Sequence, residues 1–354
     1  MSRQIPRISL PSDLDRFDEV IDVRSPDEFE EDFLGGAVNL PVLTNEERAR
    51  VGTLYRQTSP FEAKKVGAAL VSRNIAFHLE KHFREKPRDY RALLYCWRGG
   101  QRSASFATVL DEIGWEVSLL EGGYKSYRSH VVDSIEEISR TLRLVVLNGY
   151  TGAGKTLLLA KLRETGAQVI DLERFANHKG SVFGGDPETP QPAQKRFESM
   201  IYEELIGTDP GKPLFIEAES AKIGRLNLPN PLWQKMKASP VVEIDSPVES
   251  RARYLAEDYR DWVGNLERVH ATIDRLTEFH SKERLMRWKA MTSDGEWIPF
   301  VEELLTHHYD SRYTVDGSGN YSVPVACVRL PQHDPEAVTT AANEVQAIAP
   351  EILS

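Results

Sequence analysis

Apolar positions along the chain fall into two alternating registers. Short compact runs at 19–23, 92–95, 142–147, 168–170, 213–216 and 241–244 read as buried strands. Between them the spacing becomes helical. Residues 61–83 form a long stretch with few breakers, 103–113 has helical spacing and stops at Gly114, and 157–162 follows directly on a glycine-rich turn. A further helix starts after Arg24-Ser25-Pro26 with acid in its first turn. Strands that alternate with helices predict α/β architecture, with parallel sheets covered on both faces. A polar helical stretch at 129–141 separates a first unit, 1–128, from a second, 142–310. The latter ends in a mostly helical, Arg-rich region at 247–308. The remaining 311–354, with a helical stretch at 335–347, carries no assignable role.

With 354 residues there is room for two or more domains. An apolar fraction of 40% with scattered glycine and proline excludes a disordered or fibrous chain. No apolar run approaches the roughly 20 residues that span a bilayer, and the first residues lack a signal-peptide core. The expectation is a cytoplasmic protein with no membrane role. Net charge is −10, which argues against coating of DNA or of nucleic acid in general and leaves room for a local basic face toward one RNA. Two cysteines, Cys96 and Cys327, are too few for a disulfide framework or a thiolate metal site.

Two segments carry chemistry. In Cys96-Trp97-Arg98-Gly99-Gly100-Gln101-Arg102-Ser103 a thiol ends a strand, and glycines then lead into a helix. Such a loop turns backbone N–H groups toward its centre and makes an anion cradle around a reachable, thiolate-favouring sulfur. Arg98, Arg102 and the loop N–H groups are expected to bind the anion, with Ser103 capping the helix. The second segment runs from Gly149 through Tyr150, Thr151, Gly152, Ala153 and Gly154 to Lys155 and Thr156, a full Gly-x4-Gly-Lys-Thr motif between a buried strand and a helix. Its glycines let N–H groups close on a diphosphate, Lys155 neutralises charge, and Thr156 is suited to Mg²⁺. No dedicated metal site or tightly bound cofactor is expected. Asp171, Glu173, Glu217 and Glu219 at strand ends are candidates for contact with substrate or Mg²⁺, and Arg251 for closing over phosphates. Lys282, Arg284, Arg287 and Lys289, with Trp288 among them, are candidates for a basic face toward RNA.

The first unit resembles a rhodanese domain. Ile21-Asp22-Val23-Arg24-Ser25-Pro26-Asp27-Glu28-Phe29 and Gly35-Gly36-Ala37-Val38-Asn39-Leu40-Pro41 match that family's first signature, and Cys96 falls at its active cysteine. The loop departs from the usual Cys-x-x-Gly-x-Arg by one extra residue. The resulting Cys-x5-Arg, Cys96 to Arg102, equals the spacing of Cys-dependent phosphatases and suits an anion larger than one sulfur atom.

A rhodanese unit followed by a P-loop unit resembles the bacterial tRNA 2-selenouridine synthase family. Asp171-Leu172-Glu173-Arg174-Phe175-Ala176-Asn177-His178-Lys179-Gly180-Ser181-Val182-Phe183-Gly184 and Phe215-Ile216-Glu217-Ala218-Glu219-Ser220-Ala221-Lys222-Ile223-Gly224 are similar to that family's own segments, so the likeness covers roughly residues 10–310. The resemblance implies replacement of sulfur by selenium in wobble 2-thiouridine of tRNA. Selenophosphate is the implied donor, and the implied route passes through S-geranylation by geranyl diphosphate. It assigns the prenyl diphosphate to the Gly149 loop and selenophosphate to the Cys96 loop, where Cys96 either takes selenium as a perselenide or acts as a thiolate on the donor. A selenophosphate-supplying enzyme is an implied partner. The residues alone also permit a sulfurtransferase fused to an ATP-using domain, a Cys-x5-Arg phosphatase with a regulatory NTPase, or a nucleotide-sensing module with a vestigial rhodanese fold. The extra loop residue and the segment after Asp171 count against the first, and the lack of a general acid in the loop against the second. Retention of Cys96 counts against the third.

Overall fold

A computed structural model describes residues 4–10, 14–179, 189–258, 265–312 and 321–354. Residues 180–184, the end of one family-like segment, lie outside the described residues. The chain forms two compact units, one of residues 1–134 and 193–203, the other of 135–192 and 204–354.

The first unit is built on a parallel sheet of β1 (Arg7–Ile8), β2 (Glu19–Asp22), β3 (Val38–Asn39), β4 (Arg91–Tyr95) and β5 (Glu116–Leu120), in the order β1-β5-β4-β2-β3. Central β4 is apolar from Ala92 to Leu94 and fully buried through Tyr95, as a strand covered on both faces must be. Pairing of Asp22 with Tyr95 brings the ends of β2 and β4 level, so the chain leaves both strands at one edge of the sheet. Two helices lie between β3 and β4. Pro60–Lys81 matches the expected long helix, whereas Asn45–Gln57 was not legible as a separate element. It starts at a capping box, with the Thr44 hydroxyl accepting from the Glu47 N–H. The expected connecting helix at 129–141 is the second half of one helix, Gly123–Thr141, which begins inside the expected first domain. The helix Gln194–Ile206 was also missed, and its residues to Glu203 pack with the first unit.

The second sheet contains β6 (Leu144–Asn148), β7 (Gln168–Ile170), β8 (Leu214–Glu217), β11 (Val241–Asp245) and β12 (Ala326–Arg329), all parallel, in the order β12-β11-β6-β8-β7. A small antiparallel pair, β9 (Lys222–Ile223) and β10 (Leu226–Asn227), follows β8. The described residues 321–354 of the C-terminal segment, set apart in the sequence, are integral to this unit. β12 is its edge strand, and the helix Pro335–Ile352 buries Val338, Ala341, Ala342, Val345 and Ala349 in the same core as Val145, Leu147 and Leu158. β12 escaped notice because only Val328 of its four residues is buried. A separate apolar cluster, including Val269, Ile273, Leu285, Phe300 and Leu304, organises the helices after residue 265. Among the described residues no helix is long and apolar enough to cross a membrane.

Candidate functional site

β4 delivers Cys96 to the floor of its loop, where the residue is 3% exposed. The sulfur is therefore less open than the reachable thiol expected from sequence, and only a group that enters the loop meets it. Two donors converge on Sγ, the Gly100 N–H at 3.2 Å and the Ser103 hydroxyl at 3.3 Å. Ser103 does not cap the helix Gln101–Ile113, whose N-cap is Gly100. It lies in the first turn with its hydroxyl on the sulfur and on the Gly100 carbonyl. The loop is pinned by the next crossover. The Tyr124 N–H donates to the Cys96 carbonyl at 2.8 Å, and a Cβ on Gly123, at φ +61°, would lie 2.2 Å from that same oxygen. Only glycine fits there.

The charge around this loop differs from expectation. Arg102 turns both terminal nitrogens onto Glu28, at 2.7 and 3.3 Å, and Arg48 meets the same carboxylate at 2.8 Å. Burial alone would raise the Glu28 carboxyl. Arg102, then Arg48 and the Ser25 N–H, outweigh burial and hold it down at about 2. Arg102 is thus occupied by an internal partner rather than aimed at an anion. Arg98 and Gln101 are exposed, and Trp97 packs against Tyr124 with ring centroids 5.3 Å apart. Glu28, the missed residue, stands at the third helical position after Ser25, a capping-box spacing that marks a helix start and says nothing of Arg102.

The Gly149 loop leaves β6 and enters the helix Lys155–Glu164 through glycines at positive φ, Gly152 at +77° and Gly154 at +86°. Lys155 Nζ donates to the Gly149 carbonyl at 2.9 Å, and its charge partly offsets the burial that raises the Glu219 and Glu243 carboxyls. The Thr156 hydroxyl donates to Glu173 at 3.2 Å, and the Glu173 N–H donates to Glu217 at 2.8 Å. Burial, then Asp171 and Glu173, raise the Glu217 carboxyl well above its usual range. Burial, then Glu173, push Glu219 up to about 8. Asp171 lies near enough to Glu217 to act on its charge, and its side chain also caps the helix Leu172–Ala176 by accepting from the Arg174 N–H at 2.8 Å. A hydroxyl and one or two carboxylates fit Mg²⁺, which keeps several waters and takes further oxygens from phosphate.

Arg251 is 3% exposed and braces the loop from behind. It donates to the Thr151 carbonyl at 3.1 Å and forms a two-point pair with Asp310 at 2.9 and 2.7 Å, instead of closing over phosphates. A residue missed in sequence, His333, comes from the C-terminal segment. Its Nδ1 lies 3.0 Å from the Ser250 hydroxyl, its ring stacks on Tyr254, and its Cδ2 is 3.0 Å from where a Cβ on Gly154 would stand.

The candidate RNA face is also rearranged. Trp288 is fully buried and donates from its indole to Glu303 at 3.1 Å, so it is core rather than surface. Arg287 pairs with Glu303, and Lys289 with Asp274 at 2.6 Å. Lys282 is exposed and Arg284 half-buried on the same helix, Lys282–Ser293.

Comparison with known proteins matches both units. A family model described as the rhodanese-like domain covers residues 9–130, and one described as the tRNA 2-selenouridine synthase AAA domain covers 142–284. The chain is 34% identical over 277 residues to a tRNA 2-selenouridine synthase of Nitrosomonas europaea, covering 77% of this chain and 71% of that protein. The chain belongs to the tRNA 2-selenouridine synthase family. Synthases of Bdellovibrio bacteriovorus and Marinobacter nauticus are 39% and 32% identical over 68% and 83% of this chain, and the matches span 64% and 87% of those proteins. In family terms, the rhodanese-like part carries the Cys96 loop and the AAA part carries the Gly149 loop, Glu173, Glu217 and Arg251. The AAA match ends at residue 284, so Arg287, Lys289 and His333 lie beyond it.

Proposed function

We propose that this synthase replaces sulfur by selenium in wobble 2-thiouridine of tRNA, with selenophosphate as donor and S-geranyl-2-thiouridine, made from geranyl diphosphate, as intermediate. Family membership supports a tRNA-modifying enzyme whose substrate is tRNA. One observation carries the finer reading: a single chain holds two unlike anion loops, one with a thiol at its floor and one with a lysine resting on a backbone carbonyl.

At the Gly149 loop the uridine sulfur attacks C1 of the geranyl group. A C–S bond forms, the C–O bond breaks with its electron pair leaving on diphosphate, and the N3 proton of the uridine is released to solvent. Lys155 and the N–H groups of the loop stabilise that developing charge. Thr156 and Glu173 would hold a Mg²⁺ ion, which would supply further charge neutralisation. At the Cys96 loop selenium of selenophosphate attacks C2 of the thioether. The C2–Se bond forms as C2–S breaks, and the sulfur leaves as a thiolate that takes a proton to become geranylthiol. Cys96 then attacks phosphorus, the P–Se bond breaks with its electron pair on selenium, N3 takes a proton from solvent to give 2-selenouridine, and water hydrolyses the phosphocysteine to thiol and inorganic phosphate. No tightly bound cofactor is needed, and an enzyme that makes selenophosphate is the upstream partner.

The test is mass analysis of tRNA nucleosides from selenium-grown cells with and without the protein. Loss of 2-selenouridine with retention of 2-thiouridine is expected on deletion. Unchanged 2-selenouridine with reduced 2-thiouridine would replace this reading with a sulfurtransferase.

A further inference from the structure

A groove in the first unit plays no part in the chemistry above. It encloses about 640 Å³ and is bounded by the helices Asn45–Gln57, Pro60–Lys81 and Gln101–Ile113. Its origin lies in incomplete packing. None of the 13 residues of the first helix is fully buried, and of the 22 in the second only Ala63, Ile75 and His78 are. Val51 and Tyr55 form one wall, and Val71 stands in the other. Between the walls Gly67 and Ala68 contribute almost no side chain. Tyr55 is left 56% exposed at the border of the groove.

We propose that this groove holds the branched hydrocarbon tail of an S-prenylated uridine while selenium is delivered at the Cys96 loop. The inference rests on the reading that a prenyl thioether is the intermediate, and adds where its tail goes. Three observations converge on this occupant. The volume falls within the roughly 300–1,000 Å³ of small-molecule sites, and the lining is chiefly apolar. Of the two charged side chains among the described residues that line it, Arg102 is paired with Glu28, and Lys64 is an exposed cation in a chain of net charge −10. An apolar slot with a cation at its border complements an apolar tail joined to a polyanion. The third observation is continuity. Gln101 and Arg102 line the groove and begin the helix whose N-cap, Gly100, donates to Cys96 Sγ. A tail held here keeps its sulfur, the atom that must leave, next to the selenium site.

The experiment uses full-length protein, selenophosphate and two RNA substrates, tRNA with S-geranyl-2-thiouridine and tRNA with S-methyl-2-thiouridine. Ala68→Trp fills the groove from an exposed helix position and keeps the fold, which a thermal melt checks. Gly67→Leu fills it from the neighbouring position on the same helix, where a Cβ would stand 3.5 Å from Val51. Expected is a drop of about 10-fold or more in kcat/KM for the S-geranyl substrate in both variants, with the S-methyl substrate unchanged and Ala68→Ser behaving as wild type. Equal rates of wild type and both variants on S-geranyl tRNA, with geranylthiol still released, would overturn the groove and leave the thioether route standing. If wild type itself does not convert S-geranyl tRNA, the route fails and the groove assignment with it. A concentration-dependent dimer that Ala68→Trp disrupts, without change in preference between the two RNAs, would assign the groove to a second copy of the chain and also overturn the proposal.

Discussion

The Cys96 and Gly149 loops look alike in sequence, each a glycine-rich turn from a buried strand into a helix, yet they handle charge in opposite ways. In the Cys96 loop one of the two arginines is already spent, because Arg102 is locked onto Glu28 while Arg98 is exposed, and the Gly100 N–H and Ser103 hydroxyl converge on sulfur. In the Gly149 loop the cation, Lys155, donates to a neutral carbonyl and stands within reach of the Glu219 and Glu243 charges at the helix start. A fixed internal ion pair shapes a pocket around a nucleophile, whereas a lysine bonded to a neutral carbonyl suits charge that appears during reaction. Similar loop grammar therefore serves positioning in one unit and charge stabilisation in the other.

The strongest way to separate the loops is Cys96→Ser. Selenium insertion should fall by on the order of 10³-fold or more while geranyl transfer persists, so geranylated tRNA accumulates in a nucleoside assay. Loss of both activities in a folded variant would mean that the loops do not work separately. Lys155→Ala should cut geranylation by about 10²-fold or more, measured with geranyl diphosphate and thiolated tRNA. Normal geranylation together with loss of an ATPase activity would make the loop a nucleotide site. Glu28→Gln tests the internal ion pair. The folded carboxyl sits at about 2 against an ordinary 4.5, so its contribution is complete above about pH 4.5 and is lost as pH falls toward 2. The variant should lose roughly 2–3 kcal/mol at pH 7 and show a flatter acid limb in denaturant titrations between those values. A stability profile identical to wild type would falsify the role assigned to this pair. The smallest effect is expected for Arg284→Glu with Arg287→Glu. The salt slope of tRNA affinity should flatten by about one unit for each phosphate no longer neutralised, with geranyl diphosphate affinity unchanged. An unaltered slope would leave these residues as a solvated helix face, in keeping with the Arg287–Glu303 pair.

Legibility followed the strength of the local signal. β6 and β4 were plain because a strand buried on both faces is apolar at successive positions, and both reactive loops were plain because glycine, thiol and lysine stand at fixed spacings. β12 and the helix Asn45–Gln57 were not, since one buries a single residue and the other none. Trp288 was misread as surface because its neighbours are basic. A helix whose face alternates charged and apolar residues hides its buried position until the partner, here Phe300 and Leu304, is known.

Sequence by itself determined that the chain has two parallel α/β units, that Cys96 and Lys155 each stand in a glycine-rich turn between a strand and a helix, and which family they belong to. Those properties depend on contiguous residues, whose backbone geometry and spacing are set locally. Tertiary structure decided the partners: Glu28 for Arg102, Asp310 for Arg251, His333 beside Gly154, and an open groove beside the Cys96 helix. Each joins residues tens to well over a hundred positions apart, and charge and packing act through space, so nothing in the local pattern could announce them.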